Sequence, residues 1–229
     1  MHYVKDTNHL AELCSKLNKS KFLAIDTEFI REKTYWPKLC LIQVFNGEDK
    51  IIIDPLVKGL DLKPFFKILS NNEIVKIFHS GRQDIEIFYN LTKKIPKNIY
   101  DTQIAAMVCG FGDSIGYENL VSQLLGKKID KTSRLTNWSN RPLSKKQINY
   151  AISDVTHLFE IYPLIKDKII NNKRESWFKE EIRILISKKT YDLNPADSWK
   201  RLKYRNLNKN SIGILIELAK WREIKAQEK

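Results

Sequence analysis

Asp26 and Glu28 stand two residues apart at the end of the apolar run KFLAIDTEF. In an extended strand, residues i and i+2 emerge on one face, so both carboxylates point the same way. Carboxylates in such a place are costly unless they are paired or metal-bound. Asp84 follows a second apolar run, IVKIFH, at the start of a helical pattern. Tyr150 and Asp154 are four apart, one helical turn. Taken singly, each has an ordinary structural reading. A strand-end DxE pair is common, an acid in a first turn complements the helix dipole, and a Tyr and Asp at this spacing fit an amphipathic helix. Taken together, Asp26, Glu28, Asp84 and Asp154 make a set that two divalent cations would neutralise if the four meet at the strand ends. Without cations they would repel and shift one another's pKa values. Oxygen-only ligation suits Mg²⁺ or Mn²⁺ rather than zinc. Two such ions about 3.5–4 Å apart serve in-line phosphodiester cleavage. Tyr150 would then stand beside the attacking water. At pH 7 a phenol of pKa near 10 acts as a full base only at a cost of about 4 kcal/mol. Its preferred role is therefore to hydrogen-bond and orient that water, with base action as the alternative.

Positioning these groups requires strands that end at the acids and helices that begin there. Lys21 to Phe29, Leu39 to Phe45 and Lys50 to Asp54 read as strands. Pro37 and Asn46-Gly47 in short connections favour antiparallel neighbours. Ile74 to His79 reads as a fourth strand, and helical spacing covers Leu62 to Leu69, Gln83 to Leu91, Gln103 to Cys109 and Tyr117 to Leu125. Asp101-Thr102 looks like the N-cap of the third of these. Ser144, with Gln147 three residues on, opens a long helix toward Tyr162. A further helix spans Glu175 to Ser187. Early clustered strands followed by helices predict an α/β fold, a mixed sheet flanked by helices. Asp192 to Pro195 reads as a boundary, followed by two amphipathic helices, Ala196 to Arg205 and Ile212 to Ile224.

The 229 residues have 42% apolar residues and a mean hydropathy of −0.40, an ordinary globular composition. No run reaches the roughly 20 apolar residues of a membrane span, and the start MHYVKDTNHL has no apolar signal core. Three distant cysteines, Cys14, Cys40 and Cys109, with no CxxC pair, argue against a disulfide framework and a Cys-type zinc site and fit a reducing cytoplasm. The net charge of +13 is unevenly distributed: +2 on residues 1–115 and +11 on the rest. A regional excess of this kind suits a polyanion, although lysine bias from an AT-rich genome would also raise it. Between Lys127 and Lys146 there are seven basic residues and one acid. Lys127, Lys128, Lys131, Arg134 and Arg141 are the candidates for contacting a nucleic-acid backbone. Tyr117 is a candidate channel-lining residue, whereas Trp138, Tyr35 and Trp36 read as packing residues. His79 ends a strand and is left out of the metal set, because the ions this site would prefer take oxygen.

The stretches AIDTEF, HSGRQDIEIF and Tyr150-Ala-Ile-Ser-Asp154 resemble the three motifs of the DEDD 3'-5' exonucleases, tyrosine subclass. Within that superfamily the chain is similar to ribonuclease D. DTEFIREKTYWPKLCLIQV, IIDPL, YDTQIAAMVCGFG with GYENLV, and DKTSRLTNWSNRPLSKKQINYAISD are similar to its segments in the same order, over about residues 20 to 165. The resemblance implies a ribonuclease H-like catalytic domain with two divalent metal ions. It also implies removal of nucleotides from RNA 3' ends, classically those of tRNA precursors. No obligate protein partner is evident in the sequence. Asp26, Glu28, Asp84 and Asp154 match the metal-binding acids, and Tyr150 matches the catalytic tyrosine. Asn137 departs from the Asp more usual before Trp138. Ser198-Trp199-Lys200-Arg201 and LIELAKWR are similar to the opening of an HRDC domain. The expected organisation is a catalytic domain over 1–192 and a partial HRDC-like segment over 193–229, naturally short or truncated. Two readings stay open beside an exoribonuclease: a DNA 3'-5' exonuclease, which the same acids would serve, and an RNA-binding module without turnover.

Overall fold

The computed structural model describes every residue except Lys131, Asn206, Leu207 and Lys229. Its centre is a six-stranded sheet in the order β1-β4-β3-β2-β5-β6. The strands are β1 (His2–Val4), β2 (Phe22–Ile30), β3 (Lys38–Phe45), β4 (Lys50–Ile53), β5 (Val75–Phe78) and β6 (Ile99–Asp101). β2, β3 and β4 pair antiparallel, as their short connections require. β5 joins β2 and β6 joins β5 in parallel, and β1 pairs parallel with β4. This is the expected mixed sheet flanked by helices.

Alternation along β2 decides where the acids go. Leu23 and Ile25 enter a core with α1 (Thr7–Leu17), α2 (Lys63–Ser70) and α3 (Arg82–Thr92) on one face of the sheet. Ala24 faces the other core, shared with α4 (Thr102–Val108), α5 (Tyr117–Leu125) and α6 (Lys145–Asn171). A period of two carries Asp26 and Glu28 onto that second face, toward α6. The β2–β3 register shifts between Glu28 and Phe29. Such a bulge bends the strand and re-aims the side chains beside it.

α6 begins at a full capping box, Ser144 with Gln147. It runs past the expected Tyr162 to Asn171, through Pro163. The buried stripe Val155, Leu158, Ile161, Ile165 and Ile169 continues on both sides of the proline. Packing of that stripe offsets the hydrogen bond the proline removes. α3 starts where Gly81 meets Phe78: a Cβ on Gly81 would lie 2.6 Å from that of Phe78. The chain continues through α7 (Glu175–Leu185), a 3₁₀ turn at Pro195–Arg201 and α8 (Lys209–Gln227). The first expected C-terminal helix, Ala196 to Arg205, is thus only that turn followed by irregular chain; the second lies inside α8. Among the described residues no helix is long and apolar enough to cross a membrane.

Candidate active site

Where β2 ends and α3 and α6 begin, the surface opens into a cleft of ≈ 710 Å³. Asp26, Glu28, Asp84, Tyr150 and Asp154 all line it. One carboxylate oxygen each from Asp26, Glu28 and Asp154 lie within 4.8 Å of one another. Asp84 lines the same cleft from α3, which packs on the opposite face of the sheet. Its carboxylate accepts a 2.5 Å hydrogen bond from Thr27, the residue between the two strand acids. Thr27 therefore links the fourth acid to the strand that carries the first two.

Burial without compensating charge shows in the titration of these groups. Burial raises the Asp26 carboxyl well above the usual range, and the charges of Asp84, Asp154 and Glu28 push it further. Glu28 is pushed up to about 9 by burial, then by Asp154 and Asp84, with Arg134 opposing. Asp154 rises to about 7 through burial, offset by the Tyr150 hydroxyl and the Arg134 charge. Asp84 rises to about 6 through burial, with the Thr27 hydrogen bond opposing. Clustered hard oxygen donors that hold protons for want of positive charge fit a divalent cation of the Mg²⁺ or Mn²⁺ type. Burial and then Asp154, Glu28 and Asp26 raise the Tyr150 phenol as well, so the phenol stays protonated.

The structure also assigns work that sequence reasoning missed. Asp101, read only as the N-cap of α4, accepts from the backbone N–H groups of Gln103 and Ile104. It also accepts from Ser80 and Gly81, at 3.2 and 2.7 Å, in the turn that launches α3 and Asp84. The sequence signal was one acid after a β-like tripeptide, with nothing to indicate the second set of donors. The Tyr117 hydroxyl donates to the backbone carbonyl of Asp154 while the ring lines the cleft, so it braces α6 as well as shaping the channel. His79 lines the same cleft, with its Nδ1 3.0 Å from Thr102 Oγ1, and is not among the three clustered ligand residues.

The basic candidates scatter. Arg134 lines the cleft and its charge reaches Glu28 and Asp154. Lys127 is exposed and pairs with Glu160 of α6 at 2.5 Å, and Lys128 is exposed; neither lines the cleft. Lys131 lies outside the described residues. Arg141 is corrected outright. Its guanidinium grips Asp54 through Nε at 2.6 Å and Nη2 at 2.7 Å, and donates to the carbonyls of Cys40, Trp138 and Asn140. Tyr3 also donates to Asp54. Burial favours a protonated Asp54, but these donors outweigh it and hold the carboxyl below its usual range. Arg141 is a clamp between the β4 end and the loop before α6, with its donors committed inside the protein. Trp138 is buried at 2% exposure, with its ring 6.1 Å from that of Tyr150, in keeping with a packing residue.

Comparison with known proteins bears on this geometry. Residues 1–170 match the model of the family described as 3'-5' exonuclease. The chain is 46% identical over 228 residues to the ribonuclease D of Bartonella henselae, covering all of this chain and 56% of that protein. It is 43% identical over 229 residues to the ribonuclease D of Nitrobacter hamburgensis, covering all of this chain and 60% of that one. The crystal structure of Escherichia coli RNase D, described as an exoribonuclease involved in structured RNA processing, superposes with a TM-score of 0.92 at 34% identity. That match covers 99% of this chain and 60% of that one. The catalytic core of RRP6 from Trypanosoma brucei, at 22% identity and a TM-score of 0.77 over 99% of this chain and 64% of that one, shares the fold. The chain thus spans less than two thirds of the length of these relatives. A family match over most of the chain, on a fold that gathers these acids in one cleft, places it among its kin: the chain belongs to the 3'-5' exonuclease family.

Proposed function

We propose that the chain is a 3'-5' exoribonuclease that hydrolyses RNA from its 3' end and releases nucleoside 5'-monophosphates. The carrying observation is the convergence of Asp26, Glu28 and Asp154 oxygens within 4.8 Å, with Asp84 and Tyr150 in the same cleft. Similarity to ribonuclease D supports RNA over DNA as substrate. In this reading Asp26, Glu28, Asp84 and Asp154 hold two divalent cations, Mg²⁺ or Mn²⁺. When bound, the cations neutralise the carboxylates and act as Lewis acids for in-line phosphodiester hydrolysis. Tyr150 keeps its proton and orients the attacking water by hydrogen bonding. Tyr117 fixes the backbone at Asp154, and Thr27 fixes Asp84, so the protein ligands are held before substrate arrives. Arg134, which lines the cleft, meets the backbone phosphate in this reading, and Lys127, Lys128 and Lys131 act on the approaching chain.

The reading extends to single-stranded 3' ends of tRNA precursors in the cytoplasm. It also treats 1–192 as the catalytic domain and 193–229 as an HRDC-like helical segment. Product analysis tests the chemistry. RNA labelled at its 3'-terminal nucleotide should release labelled nucleoside 5'-monophosphate as the first product. Release of a labelled oligonucleotide, or of a nucleoside 3'-monophosphate, would contradict it.

A further inference from the structure

α8 is held in an unusual way. Of its residues only Ala219 and Glu223 are buried, while Ile214, Leu218 and Trp221 are 62%, 58% and 61% exposed. Ile212, Leu215 and Ile216 are half-buried in line with Ala219. A buried charge lies on the same side of the helix: Glu223 is 4% exposed, and its Oε1 lies 2.6 Å from Arg201 Nη2 at the end of the 3₁₀ turn. The same carboxylate oxygen accepts a short hydrogen bond from the Tyr35 hydroxyl. The Tyr35 ring stands edge-on to Trp36, with centroids 4.7 Å apart. A buried carboxylate needs both donors, because removing one leaves it undersatisfied at low dielectric.

Tyr35 belongs to the connection between β2 and β3, residues 31–37. That connection begins at the end of β2, three residues after Glu28, and its Arg31 and Glu32 line the acid-bearing cleft. It is tied at two points. Arg31 pairs with Glu86 of α3 at 3.1 Å, and Tyr35 bonds Glu223 of α8. One wall of the cleft is thus fastened to the C-terminal helix, some 188 residues away in sequence.

We propose that Glu223, acting through Tyr35, is a positioning residue for the cleft: the Arg201–Glu223–Tyr35 clasp makes the placement of α8 set the placement of the β2–β3 wall. The effect on RNA affinity rests on the exoribonuclease reading above. Loosening the wall leaves the acids in place and weakens capture of the substrate. The clasp thereby couples whatever α8 contacts to the KM at the acids.

The test uses the 229-residue chain with Tyr35→Phe, which removes a single hydroxyl, and with Glu223→Leu. Amide hydrogen exchange over 31–37 is read beside KM, kcat and the melting temperature. Either substitution should speed exchange at 31–37 and raise KM for single-stranded RNA roughly fivefold or more, with kcat held within about twofold. The double variant should be no worse than the more severe single one, because both break one link. Unchanged exchange at 31–37 with an unchanged KM, whatever the melting temperature does, would overturn the proposal, as would strictly additive effects. If the unsubstituted chain fails to degrade RNA, the exoribonuclease reading falls. The exchange measurement then still decides whether the clasp holds the wall.

Discussion

At the scale of single residues, burial and mutual repulsion govern the titration of the acids. Glu28, Asp154 and Asp84 carry folded-state pKa values of about 9, 7 and 6, all above those of an unfolded carboxyl. In the window between the unfolded value, about 4, and these raised values, the folded chain binds more protons than the unfolded one. Stability therefore falls as pH rises through the window. The melting temperature of the chain in EDTA should decline from about pH 5 to about pH 9. Saturating Mg²⁺ should raise it most at the alkaline end, where the ligands give up fewest protons to bind. Asp26→Asn should flatten the decline. A melting temperature in EDTA that climbs over this range would count against the cluster as drawn. Tyr150→Phe should lower kcat roughly hundredfold or more while leaving Mg²⁺ affinity by calorimetry nearly unchanged, since the phenol is not a ligand here. The acids and the tyrosine were legible in the sequence by type and spacing. The place of Asp84, reached through Thr27 from the other face of the sheet, was not, because it depends on which face α3 covers. Arg141 was misread because charge alone says nothing of a partner 87 residues away.

At the scale of elements, β2, β3, β4 and β5 were legible because their apolar runs are long or their turns distinct. β1 and β6, three residues each, are too short to show a period. α1 did carry a signal, Asp6 as N-cap with Leu10, Leu13, Cys14 and Leu17 buried, which reading from the first strong strand passed over. The end of α6 was hidden by Pro163, which marks a stop in local terms and is overridden by the packing of Ile165 and Ile169. One side chain, Arg141, holds the β4 end against the loop before α6, and it makes a prediction. Arg141→Ala leaves Asp54, 2% exposed, without its guanidinium and should cost about 2–3 kcal/mol in denaturant unfolding. Arg141→Lys should recover little of that, because an ammonium cannot reproduce the fork. Neither should alter the kcat of the folded fraction, and a selective loss of RNA affinity in Arg141→Lys would restore Arg141 to the substrate track.

At the scale of the whole molecule, the net charge lies mostly on residues 116–229, and the cleft is lined by two arginines, Arg31, which pairs with Glu86, and Arg134. Affinity for single-stranded RNA should fall with salt, and Arg134→Gln should reduce the slope of log K against log[salt] by about 0.7, the value for one single-strand phosphate contact. An unchanged slope would move Arg134 off the phosphate path. The fold ties distant parts to one cleft: β2 supplies two acids, α3 and α6 the others, and α8 reaches the wall through Glu223. That last link was invisible in sequence, since Glu223 carries no signal there beyond being an acid on an expected amphipathic helix.

The most direct measurement is a time course on 5'-labelled single-stranded RNA and its DNA counterpart, with Mg²⁺, with Mn²⁺ and with EDTA, beside Asp154→Ala. A ladder shortening one nucleotide at a time on RNA, abolished by EDTA and by the substitution, is the predicted result. A ladder chiefly on DNA, or none with either metal while RNA binding persists in a gel shift, would contradict the account.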